Sequence, residues 1–137
     1  MYQRKTSIST FLTFGGTADE AVTFYLSLFP NESHLLSKTT FKEGQPGIAG
    51  SILNLTFDIR GQSFMAMDME EKYLTNFSWA TSILVQCTDE TEFDRLFQAF
   101  SKQGHVMMGP EAIMDLNKAC WVTDRFGVTW QLIWSES

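Results

Sequence analysis

The chain is expected to be an α+β protein made of two βαβββ units sharing one pseudo-symmetric domain, and three features predict this. The same order of elements, strand, helix and three strands, runs twice through 137 residues. The acidic helix starts Asp19-Glu20 and Asp89-Glu90 lie 70 positions apart. Gly61 and Gly127, 66 positions apart, each follow a turn and precede by three residues an aromatic, Phe64 or Trp130, that leads an apolar strand. A single domain over residues 1–137 is therefore expected, with unit 1 at about 6–68, a linker at about 69–78 and unit 2 at about 79–135.

Each element follows from its pattern. Ser7 to Phe14 alternates, with Ile8, Thr10, Leu12 and Phe14 on one face and Ser9, Phe11 and Thr13 on the other. Gly15-Gly16 breaks the chain, and Thr17 to Glu20 has capping-box spacing. The helix behind it sets Ala18, Ala21, Val22, Tyr25 and Phe29 on one stripe and ends at Pro30-Asn31. Leu35 to Phe41 is a strand and residues 42–47 a loop. Ser51 to Asp58 and Ser63 to Met67 form a hairpin about Arg60-Gly61. In the second half, Ala80 to Cys87 is a strand, and Asp89 and Glu92 form a second capping box. The helix it opens buries Phe93, Leu96, Phe97 and Phe100, with Gly104 as its terminal glycine. His105 to Met108 is a short strand, Gly109-Pro110 a turn, and Lys118 to Thr123 a strand leading to the block Asp124 to Trp134.

Composition narrows the class. A chain 44% apolar, with no run of about 18 apolar residues, is expected to be globular with no membrane association. Behind Arg4 and Lys5 no apolar stretch is long enough for a signal peptide, and Cys87 and Cys120 read as free thiols, so a cytoplasmic location is expected. The sequons at Asn31, Asn54 and Asn76 then carry no meaning. A net charge of −6 gives no footprint for nucleic acid.

The residues Phe11-Leu12-Thr13-Phe14, Gly16, Ala18-Asp19-Glu20-Ala21 and Phe24 to Pro30 carry a resemblance. So do Gly61 to Met67, Cys120-Trp121 and Asp124 to Gln131, in order along nearly the whole chain. Together they resemble the vicinal oxygen chelate superfamily of glyoxalase, bleomycin-resistance and extradiol dioxygenase proteins. The match is to its PhnB-like branch, whose domain is called 3-demethylubiquinone-9 3-methyltransferase. The resemblance implies that the two units make one curved mixed sheet around a cleft with helices outside, and that the protein is a homodimer. Metal-binding members take ligands from the first and fourth strands of each unit. Spacing places those positions at Thr10, Met65, Ala80 and Gln131, of which only the glutamine amide suits a cation.

Other chemistry is weighed in the same way. His34 and His105 fall on second strands, away from those positions. Gly15-Gly16 reads as a tight turn into a capped helix, without the third glycine of a cofactor loop. Cys120 has Lys118 on its strand face but no named base, so it and Cys87 read as small buried side chains. Asp68, Glu70 and Glu71 read as a solvated loop at the cleft mouth. By strand parity Met65, Met67, Gln131 and Ile133 share the cleft face with members of the group Phe11, Thr13, Trp79 and Trp121, while Phe64, Ala66, Trp130, Leu132 and Trp134 pack under the helices.

The expected protein is thus metal-free, needs no cofactor, and binds a small, partly apolar organic ligand. The expected cleft residues are Thr10, Met65, Met67, Trp79, Trp121, Gln131 and Ile133. A metal-dependent glyoxalase-type lyase or isomerase, a thiol transferase, and an S-adenosylmethionine-dependent methyltransferase are the alternatives. The residues themselves name no reaction.

Overall fold

The computed structural model describes residues 7–136, so the expected start of unit 1 at residue 6, like Arg4 and Lys5, lies outside the described residues. The chain divides into two compact units, Met1–Thr75 and Asn76–Ser137. Each holds one helix and a four-stranded mixed sheet.

In the first unit, strands β1 (Thr10–Phe14), β2 (Ser33–Thr40), β3 (Ile52–Ile59) and β4 (Gln62–Asp68) are ordered β1-β4-β3-β2. β1 runs parallel to β4 and the other pairs are antiparallel. β1 begins at Thr10, later than expected, because its ladder with β4 starts there, opposite Phe64. Helix α1 (Ala18–Leu28) buries Ala18, Ala21, Val22 and Tyr25 against the sheet. Beneath it Phe57 and Phe64 stack at 5.1 Å. Burial of such rings stabilises by roughly 1.5–3 kcal/mol each. The β3–β4 hairpin turns on Arg60 and Gly61, both at positive φ (49° and 83°), the turn whose twist matches paired strands.

The capping box expected at Thr17 is not formed, and the Thr17 side chain caps nothing. The N-terminus of α1 is held instead from the end of β4. Asp68 Oδ1 accepts from the amides of Gly16 (3.0 Å) and Ala18 (2.9 Å), and Oδ2 accepts from the Ile52 amide (3.0 Å). Asp68 is buried, which corrects its expected place in a solvated loop. A carboxylate satisfies these orphan amides better than a threonine hydroxyl and adds charge where the helix dipole favours it.

The expected linker is shared between the units. The Met69 amide donates to the Phe14 carbonyl at 2.8 Å, extending the β1–β4 pairing. Glu71–Tyr73 makes a short 3₁₀ turn, and the Leu74 side chain closes over Gly15. Phe77, beyond the boundary, lies against Gly127.

In the second unit, β5 (Ile83–Gln86), β6 (His105–Ile113), β7 (Leu116–Thr123) and β8 (Thr129–Trp134) are ordered β5-β8-β7-β6, with β5 parallel to β8. β5 is shorter than expected, since Trp79 and Ala80 form a turn before it. Helix α2 (Glu90–Ser101) carries half of the expected capping box: Asp89 accepts from the Glu92 amide at 2.8 Å, while Glu92 reaches one residue further back and accepts from the Thr88 amide at 3.0 Å. Phe93, Leu96 and Phe100 are buried, and Phe100 stacks on Trp130 at 4.4 Å. The residue at positive φ after α2 is Gln103, not Gly104. Gly104 is required for space, because a Cβ there would stand 2.3 Å from the Thr123 carbonyl oxygen. β6 runs through Gly109-Pro110, a cis peptide, where a turn was expected, and shifts register against β7 as it does so.

The block Asp124 to Trp130 is organised by one carboxylate. Asp124 Oδ1 accepts from the amides of Phe126 (2.8 Å) and Val128 (3.1 Å), and Oδ2 accepts from Trp130 Nε1 at 2.9 Å. Gly127 supplies the positive φ of 92° that closes the turn. The sequence features that mark this block are therefore anchoring features.

Candidate functional site

In each unit the helix covers one sheet face, and the registers decide which side chains share the opposite face. In the first unit Phe11 stands beside Met65 and Thr13 beside Met67. Met65 and Met67 are half-buried and alternate with buried Phe64, Ala66 and Asp68. Thr56 neighbours Met65 on β3 and donates to Asn54 Oδ1 at 2.7 Å, and both are buried. Thr10 does not join this set. It pairs across with Phe64, on the helix-covered side, and its hydroxyl accepts from Gln62 Nε2 at 3.2 Å. A strand's side chains alternate, so the place beside Met65 belongs to Phe11.

In the second unit Trp121 stands between Met108 and Gln131, and Leu84 lies on the other side of Gln131. Ile133 is flanked by Ala119 and Gln86. Trp79, outside the sheet and 61% exposed, packs edge-on against Trp121 with ring centroids 5.6 Å apart. Gln131 Nε2 donates to Ser82 Oγ at 2.8 Å, which leaves the amide oxygen as an acceptor. The Trp121 indole nitrogen is buried and has no hydrogen-bond partner. A buried donor left unpaired costs roughly 1–3 kcal/mol, so this N–H marks a place where an acceptor belongs. Ser82 and Leu84 were not anticipated from sequence. The 70-residue offset pointed to Ala80, whereas the matching registers, Phe11 with Met65 and Leu84 with Gln131, set the offset at 73.

The remaining reactive groups are engaged elsewhere. Cys120 pairs with Leu132 on the helix side and is 1% exposed; burial pushes its thiol up to about 11, so it stays protonated at neutral pH. Lys118, on the same side, binds Asp94 (2.8 Å) and Glu90 (2.7 Å) of α2, and these partners raise its pKa, the Asp94 hydrogen bond most. Cys87 is buried. His34 pairs with Asp58 at 2.8 Å, and His105 opens β6 opposite Thr123.

Each unit is thus a four-stranded mixed sheet backed by one helix, the architecture expected from the resemblance. The chain belongs to the 3-demethylubiquinone-9 3-methyltransferase (PhnB) family, which it matches over residues 6–133. It is similar to a PhnB protein from Bacillus cereus, 35% identical, with a TM-score of 0.85 over 95% of this chain and 100% of that one. A protein from Pseudomonas aeruginosa shares the fold at 24% identity and a TM-score of 0.80, covering 96% and 98% of the two chains. The fosfomycin resistance protein FosX of Listeria monocytogenes shares the fold at 12% identity and a TM-score of 0.66, covering 96% and 94%. Among curated proteins no sequence matches this chain. No helix among the described residues is long and apolar enough to cross a membrane.

Two groups that the fold and the family name suggest were set against these residues. The adjacent first- and fourth-strand positions are Phe11 with Met65 in the first unit and Leu84 with Gln131 in the second. Two hydrocarbons, a thioether and an amide do not fit a divalent cation. Among the described residues no three His, Cys, Asp or Glu side chains are grouped to hold one. For S-adenosylmethionine, the loop in question is Gly15-Gly16. Its Gly16 amide is spent on Asp68, together with that of Ala18, so the loop serves the helix. Mixed four-stranded sheets also lack the parallel strand-to-helix crevice in which such cofactors lie.

Proposed function

We propose that the protein binds a small, flat, partly apolar organic molecule on the sheet faces turned away from the helices, without a metal or cofactor. The binding residues are Met65 and Met67 on the first unit's face, where Phe11 takes the place expected for Thr10, and Trp79, Trp121, Gln131 and Ile133 on the second unit's face. The observation that carries this reading is the buried, unpartnered Trp121 N–H beside Gln131, whose amide oxygen is left to accept. A ligand offering one acceptor and one donor on an apolar plate satisfies both. Cys87 and Cys120, buried and in no disulfide, support a cytoplasmic setting. The family resemblance supports a homodimer, and the acidic charge of −6 supports no nucleic-acid partner.

Ligand-observed NMR with a set of flat heteroaromatic amides tests the wall. Binders are expected whose signal disappears in Trp121→Phe and Gln131→Ala while far-ultraviolet circular dichroism is unchanged. A set with no binder sensitive to either side chain refutes the reading. Stoichiometric zinc, nickel or manganese in protein purified without chelator or tag, lost on Gln131→Ala, overturns its metal-free part. Calorimetric titration with S-adenosylmethionine is expected to show no saturable heat, and micromolar saturable binding restores the methyltransferase alternative.

A further inference from the structure

Beyond the end of β4 the first unit holds a cavity of about 280 Å³, lined among others by Phe41, Met67, Met69, Glu70, Glu71 and Tyr73. Its lining has one electrical character. It includes three acidic residues and no lysine, arginine or histidine. Asp68 is already spent on three backbone amides. Glu71 has no cationic partner among the described residues, and Glu70 is 3.7 Å from the Lys72 ammonium. That same ammonium lies 5.1 Å from the centroid of the Tyr73 ring. The chain's own cation thus sits at the rim on a seat made of one carboxylate and one aromatic face. Its side chain is 68% exposed, so little holds it there.

We propose that this cavity binds a small organic cation, an ammonium group on a compact apolar body. The ammonium takes the seat between Tyr73 and the Glu70 and Glu71 carboxylates, displacing Lys72. The body lies against Phe41, Met67 and Met69. Ring faces attract cations through their quadrupole, and polarizable thioethers pack well on apolar and aromatic groups. An anion meets only repulsion from the same walls, and a neutral molecule gains burial alone. The volume lies at the small end of ligand sites, which suits a body the size of a phenyl ring. The charge class comes from residues 70–73 and does not rest on Trp121 or Gln131, although Met67 is common to both readings.

Benzyltrimethylammonium is the probe, with benzyl alcohol and benzoate as neutral and anionic controls, followed by methyl NMR of methionine-labelled protein at low salt. The cation is expected to shift the Met67 and Met69 methyl signals saturably and to bind at least about tenfold more tightly than either control. Glu70→Gln with Glu71→Gln is expected to weaken it about tenfold, and Lys72→Ala to tighten it about threefold by clearing the seat. These side chains lie outside the core, so the variants keep the fold. Absence of saturable shifts, equal affinity for benzyl alcohol, or full affinity in the double variant each overturns the proposal. None of these outcomes touches the Trp121 and Gln131 wall, which its own variants test.

Discussion

Replacing Asp68 by alanine should damage the first unit more than its position beside a loop suggests. The carboxylate is 5% exposed and accepts three amide hydrogen bonds at 2.9–3.0 Å. Each bond to a charged acceptor is worth roughly 1.5–3 kcal/mol net. The part-buried Gly16 amide can recover water, whereas the amides of Ala18 and Ile52 are left buried. Relief of the carboxylate's own desolvation offsets part of the loss. The net expectation is a destabilisation of about 3–5 kcal/mol, from two orphaned donors and a released helix terminus. In a chain of 137 residues 1 kcal/mol corresponds to about 3 °C, so Tm should fall by about 9–15 °C. Asp68→Asn keeps one acceptor and turns an N–H toward one amide, so it should fall between alanine and wild type. Thermal and urea unfolding followed by circular dichroism measure both. A drop of under about 3 °C for Asp68→Ala refutes the view that this carboxylate holds the N-terminus of α1.

The two helix starts should respond oppositely to truncation. Thr17→Ala is expected within about 0.3 kcal/mol of wild type, while Asp89→Ala loses about 1 kcal/mol in urea unfolding; equal effects contradict the capping assignment. Gly127→Ala forces a side chain to a φ of 92° and should destabilise by about 1–2 kcal/mol, and a neutral result in thermal unfolding argues against a strained turn there. Burial raises the Cys120 thiol from 9.0 to about 11, so the unfolded chain releases this proton before the folded one does. The associated stability is complete below about pH 9 and is lost as pH rises through about 11. The urea midpoint of wild type should therefore fall more steeply over that range than that of Cys120→Ala, and parallel curves contradict it. At pH 8 the thiolate fraction is about a hundredfold below that of an unperturbed thiol, so native Cys120 should alkylate correspondingly slowly in peptide-mapped labelling with iodoacetamide.

What could be read from the sequence was whatever depends on neighbours along the chain. Alternation puts Phe64, Ala66, Trp130 and Leu132 on the buried faces, and Asp89 caps α2 through the Glu92 amide as its spacing predicts. The misreadings concern partners distant in sequence. Thr17 lost its capping role to Asp68, 50 positions from Ala18, and no local pattern carries that information. Helix-start spacing points to Thr10 as a cleft position, whereas the ladder of β1 with β4 sets Phe11 beside Met65. Ala80 stood in for Leu84 for the same reason, since β5 takes its register from β8. Gly109-Pro110 resembles a turn by composition. It continues β6 because a missing Cβ lets the backbone pass the Ala119 carbonyl, where a Cβ would lie 2.2 Å from the oxygen.

The residues that identify the family are not those able to do chemistry on a ligand. Asp124 and the glycine turn after it bind backbone amides and the Trp130 indole, and Gly15-Gly16 binds Asp68. A buried carboxylate whose oxygens are occupied by fixed donors is held in one place, which suits an anchor and not a group that must reach a ligand. Proteins sharing these blocks therefore share a scaffold, and the blocks alone do not transfer a reaction from one to another. On the two readings proposed above, recognition of a ligand falls to the Trp121 N–H, the Gln131 amide oxygen, and the carboxylates of Glu70 and Glu71. None of these groups is needed to close a turn or cap a helix, so each can change while the fold stays. Comparison of function within the family should accordingly be made at positions 70, 71, 121 and 131, where these proposals expect a substitution to change what is bound, and not at Asp68 or Asp124, where it is expected to change stability.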